Sequence, residues 1–329
     1  MVTLYVVSAE RATGKTAICA GVGKSLLGGG KKAGFMKLAA SSNDDATFMR
    51  QVLSLSESVE SLSPSGDAGK VKEAYNRVSQ GKDVVIIEGM VGPTPDDSLS
   101  KASYEIAKVL DARVLVVAGY GPEASRFINS YQGFGKSLLG VVLNKVPQSQ
   151  LKRVQGEASA QFGEAGIGVL GVLPEDRDLF TLTVGELADS IQGKILNSAE
   201  KSKELVTDIM LGAMVVDSGL EYFGRQANKA AIVRSDRPDM QMAALETSAR
   251  CLVINGGTAS PIHSVLYKAE NKGVPIILTE SNTEDVVTGI EVALGKARFN
   301  QEKKLPKLAE IMQQHLDFQA IHKGLGLAG

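Results

Sequence analysis

The chain has no tryptophan, only two cysteines and three histidines, and aromatic residues make up 5% of its 329 positions. Each shortage excludes something. Few aromatics and no tryptophan leave no platform for stacking nucleic-acid bases. Cys19 and Cys251 show no metal-like spacing and sit in apolar surroundings. Neither a disulfide framework nor a zinc site is expected from them, and both read as buried, inert thiols. His263, His315 and His322 are scattered, which gives no support to a paired-histidine metal site or a catalytic triad. The formal net charge is −1, so no excess of one sign points to nucleic acid or to an anionic membrane. No apolar run approaches the roughly 18 residues of a membrane span. The N-terminus enters a strand-like run without a basic segment ahead of it, so no signal peptide is expected. A bacterial or archaeal cytoplasm fits best, with no nucleic acid and no membrane as partner.

What is present is ordinary globular material. Hydrophobic residues make up 43% and charged residues 22%, and the length suggests two domains. Apolar runs rich in Val, Ile and Leu recur at Leu4–Ser8, Gly34–Leu38, Val84–Glu88, Arg113–Ala118, Leu139–Asn144 and Val169–Leu173. They show little polar alternation, as strands buried on both faces of a parallel sheet do. Helix-length segments separate them: Ala17–Leu27, Ala46–Leu53, Gly69–Gln80, Ser98–Val109, Glu123–Tyr131 and Gln148–Ala165. The pattern predicts an α/β sheet with helices on both sides. Between Gly193 and Val206 the chain turns polar and charged, and a boundary is placed there, with domains at 1–200 and 201–329. The second block is a smaller α/β unit. Its predicted strands are Gln226–Val233, Cys251–Asn255 and Val274–Leu278, with helices over Ser218–Arg225, Asp239–Ser248, Ser260–Asn271 and Asp285–Leu294. The tail Leu305–Phe318 has one amphipathic helical face.

The stretch Ser8-Ala9-Glu10-Arg11-Ala12-Thr13-Gly14-Lys15-Thr16, followed by Ala17, lies between the first strand and the first helix. Strand, tight loop ending Gly-Lys-Thr, then helix is the layout of a phosphate-binding P-loop. Backbone N–H groups of such a loop point at phosphate oxygens. Lys15 would add charge at the outer phosphates, and the Thr16 hydroxyl could ligate Mg²⁺. The loop departs from the usual pattern by having Ala9 at its first glycine position and no glycine before Gly14.

Other residues gather at predicted strand ends, where open α/β sheets bind ligands. Lys37 either holds a phosphate or substrate anion or is a solvated strand-end lysine. Asp44 and Asp45 read as helix caps, and a carboxylate there could also serve Mg²⁺. Glu88 closes an apolar strand in the Walker-B layout, and the metal-binding reading is favoured for it. Asn144 suits a purine edge or a strand-end turn. In the second block, Asp236 and Arg237 read as an ion pair, and Gly256 and Gly257 as a turn after a strand. Together they form either a ligand site or a fold staple.

In this order the motifs resemble dethiobiotin synthetase and its relatives, the amide-forming synthases of cobalamin biosynthesis. They are more similar still to the N-terminal domain of long bacterial phosphotransacetylases. The stretches that carry the resemblance are Gly34-Phe35-Met36-Lys37, Asp45-Ala46-Thr47-Phe48-Met49-Arg50, Val85-Ile86-Ile87-Glu88-Gly89, Gly140-Val141-Val142-Leu143-Asn144-Lys145-Val146-Pro147 and Leu170-Gly171-Val172-Leu173-Pro174-Glu175-Asp176. The second block resembles a DRTGG domain through Ser235-Asp236-Arg237-Pro238-Asp239 and Asn255-Gly256-Gly257, with Asn255 where the motif name has Thr. The resemblance implies phosphate and Mg²⁺ contacts from Lys15 and Thr16, and a metal site completed by Asp45 and Glu88. It implies charge stabilisation by Lys37 during carboxyl and phosphoryl transfer, and adenine recognition by Asn144. Glu10 falls where that family has an acidic loop residue and where partitioning ATPases have a second lysine, so the chain does not resemble the latter.

Three functions are expected to compete. The first is a MgATP-binding regulator or slow ATPase, with the DRTGG domain sensing a ligand or forming a homodimer. The second is a stand-alone ATP-dependent ligase that activates a carboxylate and closes a C–N bond, with Lys37 and the Ser41-Ser42 pair as part of its site. The third is an inert scaffold. The long phosphotransacetylases carry acetyl transfer in a further C-terminal domain, so acetyl-phosphate synthesis by these residues alone is not expected. Cys251 lacks a glutaminase setting.

Overall fold

The computed structural model describes residues 1–38, 42–64, 68–89, 101–121, 126–213 and 218–327. Ser41 and the first residues of the helices expected at Ser98 and Glu123 lie outside them. The chain divides into two compact units, Met1–Asp176 with Phe299–Gly329, and Arg177–Arg298.

The strands of the first unit are β1 (Val2–Val7), β2 (Ala33–Lys37), β3 (Val84–Glu88), β4 (Arg113–Gly119), β5 (Leu138–Val146) and β6 (Val169–Pro174). They form one sheet in the order β2-β3-β1-β4-β5-β6, and every pairing is parallel. The continuous apolar runs explain this arrangement. Leu4 to Val7 and Val84 to Ile87 are fully buried, and hiding a Val, Leu or Ile side chain contributes about 1.5–3 kcal/mol. Helices α1 (Lys15–Gly28), α2 (Asp44–Val52), α3 (Val59–Leu62), α4 (Ala68–Val78), α5 (Lys101–Val109), α6 (Ile128–Gln132) and α7 (Leu151–Glu164) connect them. Strand order reverses about β1, so the loop after β1 opens at a topological switch point.

The second unit holds β7 (Leu182–Thr183), α8 (Val184–Ser190), β8 (Lys194–Ile195), β9 (Leu205–Val206), β10 (Asp208–Leu211), α9 (Gly219–Gly224), β11 (Lys229–Arg234), α10 (Pro238–Glu246), β12 (Ala249–Asn255), α11 (His263–Lys272), β13 (Ile276–Thr279) and α12 (Thr283–Lys296). Its sheet runs β10-β11-β12-β13-β8, with β7 and β9 as a separate ribbon. Among the described residues, β8 alone pairs antiparallel in that sheet. The short strands β7 to β10 and helix α8 are not expected from the sequence, because runs this brief carry no readable period.

Each strand expected from the sequence overlaps an observed one, and the α/β architecture is the one expected. The chain enters the second unit at Arg177 and leaves it after Arg298, whereas the change of composition lies at 193–206. That polar stretch holds β8, a 3-10 turn at Ala199–Lys201 and β9, so it marks surface structure within a unit. The tail then returns as α13 (Leu305–His315) and α14 (Phe318–Gly324). Leu308 and Met312 of α13 close over Gly21 of α1, which is the apolar face expected of Leu305–Phe318.

The tail is tied to edge strand β6. Leu316 bridges Gly171 in antiparallel fashion, and Asp317 N–H donates to Leu170 O at 2.8 Å. A Cβ at Gly171 would lie 2.7 Å from the His315 carbonyl oxygen. Gly171→Val is therefore expected to cost about 1–3 kcal/mol through overpacking. Hydrogen exchange should accelerate in residues 305–327 ahead of the rest of the unit; uniform acceleration would contradict the tie. Among the described residues, no helix is long and apolar enough to cross a membrane.

Candidate functional site

The loop between β1 and α1 makes its turn with two left-handed residues, Gly14 at φ 89° and Ala12 at φ 55°. The second explains how the loop manages without an earlier glycine. Ala12 takes the glycine-like conformation itself, at a cost of about 1–2 kcal/mol. Ser8 Oγ donates to the Glu10 carbonyl at 2.9 Å and accepts from the Glu10 N–H at 3.1 Å, which fixes the start of the turn. From Thr13 to Ala17 the backbone N–H groups donate to no described residue. A run of unpaired donors at a helix N-terminus is an anion-binding arrangement.

Lys15 opens α1 and is 7% exposed. Among the described residues its ammonium has no hydrogen bond or ion pair. Burial pulls its pKa below the ordinary lysine value, and the nearby Glu88 carboxylate offsets part of that. The protein thus holds a positive charge in a poorly solvated place beside unpaired N–H groups.

Sheet register assembles the flank toward β3. Lys37 at the end of β2 pairs with Glu88 at the end of β3, and Glu88 in turn pairs with Val6 of β1. Lys37 Nζ lies 2.7 Å from Glu88 Oε1 and donates also to Asp45 Oδ2. Asp45 stands in the first turn of α2. The Thr16 hydroxyl is 3.0 Å from each Glu88 oxygen. Burial lowers the Lys37 pKa, but the Glu88 and Asp45 carboxylates outweigh it and the net shift is upward. Beneath this cluster Cys19 is fully buried, and its thiol pKa is pushed well above the ordinary value by burial first and by Glu88 second. It is the inert thiol expected.

The other flank faces β4 and β5. Gly119 and Asn144 pair across these strands. Gly119 N–H donates to Glu10 Oε2 at 3.3 Å, and Asn144 Nδ2 donates to the Thr13 carbonyl at 2.8 Å. Asn144 also lies so close that a Cβ on Gly14 would come within 2.4 Å of its amide nitrogen. The sequence suggests a purine-edge or turn role for Asn144; in the structure its amide nitrogen is committed to the loop. The backbone is left-handed at Lys145, with φ 62°. Among the described residues, the hydroxyls of Thr13 and Tyr131 are buried here without a partner. The Tyr131 phenol pKa is raised, by burial first and by the Glu10 charge second.

Lys15, Thr16, Lys37, Asp45, Glu88, Glu10 and Asn144 are therefore gathered at one end of the first sheet, while Arg11 is an exposed loop residue. Sequence reasoning missed Gly119 and Tyr131. The run Gly119-Tyr120-Gly121 hints at a close approach; nothing marked Tyr131.

The second-unit motifs act differently from their expected pairing. Asp236 pairs with Arg234 at 2.7 Å, and Arg237 pairs with Asp239 at 2.7 Å. In place of a hydrogen-bonded Asp236–Arg237 pair, Arg237, at the N-cap position of α10, meets the carboxylate in that helix's first turn, while the Asp236 charge still acts on it. Ser235 Oγ donates to the Gly256 carbonyl at 3.0 Å, and Gly256 N–H donates to Ser281 O at 2.9 Å. Gly257 leaves room for Ser235, whose Oγ would be 2.6 Å from an added Cβ. These contacts join the loops after β11, β12 and β13, which supports the staple reading.

The family description "AAA domain" matches residues 2–181, and "DRTGG domain" matches residues 186–293. Phosphate acetyltransferase of Nitrosomonas europaea is 23% identical over 99% of this chain and 52% of its own length. The Pseudomonas aeruginosa phosphate acetyltransferase is 23% identical over 77% of this chain and 39% of its own. The chain thus spans about half or less of the curated relatives it matches. Among solved structures, the MinD cell division protein of Aquifex aeolicus aligns with a TM-score of 0.40 and 17% identity, over 54% of this chain and 84% of that one. The CBS and DRTGG domains of the Clostridium perfringens pyrophosphatase regulatory region align with a TM-score of 0.31 and 17% identity, over 38% and 50%.

Proposed function

We infer, from the premise that this chain belongs to the AAA domain family over residues 2–181 and carries a DRTGG domain behind it, that it is a MgATP-binding regulator with at most slow hydrolysis. The observation that carries the reading is the buried, unpaired Lys15 beside the undonated N–H groups from Thr13 to Ala17. Such a site is complementary to a polyphosphate and to little else of common chemistry.

The donor set also fits Mg²⁺, which takes oxygen ligands and commonly one or two carboxylates beside substrate phosphates. The Thr16 proton is aimed at Glu88, which leaves the hydroxyl lone pairs for a cation. Thr16 would hold the metal, with Glu88 and Asp45 directly or through water. Bound Mg²⁺ would neutralise phosphate charge. The base would lie on the Asn144 side, with Asn144 keeping the loop in shape. Control of a phosphate acetyltransferase activity, in the same chain or across chains, is the regulatory role proposed. Dimerisation through the DRTGG unit belongs to the same proposal.

The ligase reading rests on Lys37 and the Ser41-Ser42 pair. Ser42 Oγ donates to the Asp44 carboxylate at 2.9 Å and Ser41 lies outside the described residues, so the regulatory reading is favoured. Calorimetry with ATP, ADP and GTP, with and without Mg²⁺, tests the site. Binding of ATP strengthened by Mg²⁺ is expected, and no binding at tens of micromolar would sink both readings. Turnover that climbs sharply with one member of a carboxylic-acid panel would instead establish the ligase.

A further inference from the structure

Lys37 is the residue whose position carries most beyond nucleotide binding. Its ammonium lies between Asp45 and Glu88, the two carboxylates of the cluster. Glu88 in turn takes the Thr16 hydroxyl with both oxygens. Every oxygen donor assigned to the metal is therefore knit to or through this one cation. Among the described residues no group of three His, Cys, Asp or Glu side chains could hold a metal, so no third carboxylate adds to the pair. Two carboxylates and one ammonium leave the cluster with a formal charge of −1, and the unpaired Lys15 charge is close enough to act on Glu88. A divalent cation entering this place meets weak net attraction and a fixed positive charge.

We propose that Lys37 is an internal counter-cation that occupies the metal's place, so that Mg²⁺ enters only when the charge of a bound polyphosphate draws Lys37 away from Asp45 and Glu88. This rests on the MgATP reading above. It makes metal binding conditional on nucleotide, and by linkage nucleotide binding and the Lys37 position bias one another. The released ammonium would then face the phosphates, so one side chain serves as plug in the empty protein and as phosphate contact in the loaded one. A merely structural Lys37 would tie β2, β3 and α2 together with no such consequence.

The test uses the full chain without nucleotide and reads free Mn²⁺ by its paramagnetic resonance signal. Wild type is expected to bind Mn²⁺ weakly. Lys37→Met, which keeps the stem and removes the charge, should bind it at least about tenfold more tightly, as removal of a like charge within a few ångström allows. Lys37→Arg should stay like wild type. Mn²⁺ should also raise the thermal midpoint of Lys37→Met and leave that of wild type unmoved. If Lys37→Met does not fold without metal, Lys37→Gln is read in the same way, and folding of either only upon Mn²⁺ addition supports the proposal. Equal Mn²⁺ affinity in wild type and the neutral variants overturns it, as does an equal gain in Lys37→Arg. Calorimetry of ATP binding to wild type, with and without Mn²⁺, keeps the two readings apart. Loss of the metal effect there would refute the MgATP reading, whereas its presence together with unchanged variants would refute the plug alone.

Discussion

Lys15→Ala is expected to weaken ATP binding by roughly 100-fold or more, the scale of losing charge-assisted hydrogen bonds in a buried place, without loosening the fold. The two halves of this expectation come from one fact. Lys15 is buried, yet among the described residues nothing pairs with its ammonium. A buried charge without a partner lowers stability, and the lysine is kept there at the expense of the empty protein. Lys15→Met, which retains the stem, should therefore melt at the same temperature as wild type or higher. The folded-state pKa is lowered from 10.5, by burial first, so between that lowered value and 10.5 the unfolded chain binds more protons. Wild-type stability should rise with pH across this window relative to Lys15→Met. Below the window the penalty is fully present, and above it the difference vanishes. A variant that keeps wild-type ATP affinity, or a methionine variant that melts well below wild type, would contradict the role given to Lys15.

Much of this was legible in the sequence, for identifiable reasons. Buried parallel strands read as Val-Ile-Leu runs, so β1, β3 and β5 could be placed within a few residues, and Gly14-Lys15-Thr16 announced the loop. Glu88 was readable because a carboxylate after Val84-Val85-Ile86-Ile87 has no reason to end a buried strand for stability alone. What the sequence could not show was register. That Lys37 lies beside Glu88, and Gly119 beside Asn144, depends on pairing between strands distant in the chain. The same holds for the second unit, where adjacency suggested Asp236 with Arg237 but the backbone turned each toward a different partner. The return of α13 to the first unit had a readable face but no readable destination. Its target is the small-residue surface of α1 around Gly21, and amphipathicity does not name a partner.

Glu88→Gln should separate metal binding from nucleotide binding. Glu88 is 3% exposed and is the hub of its cluster, accepting from Thr16 and from Lys37. The glutamine keeps the shape and can still accept the Thr16 proton through its carbonyl oxygen. It removes the charge that pairs with Lys37. Breaking a buried pair outright costs roughly 3–5 kcal/mol, but Lys37 retains Asp45, so a loss of about 2 kcal/mol is expected on unfolding in urea. The effect on ligands should be larger and of opposite sign in two conditions. In chelator, ATP affinity should hold or improve, because a negative charge near the phosphates has gone. With Mg²⁺ present, the strengthening expected of wild type should disappear, because the proposed metal site would lose one of its two carboxylates. Thr16→Val should reproduce the loss of metal dependence without the loss of the Lys37 pair, since it removes the hydroxyl and leaves Lys37, Asp45 and Glu88 together. If Mg²⁺ strengthens ATP binding in Glu88→Gln as it does in wild type, Glu88 is a structural partner of Lys37 and the metal lies elsewhere.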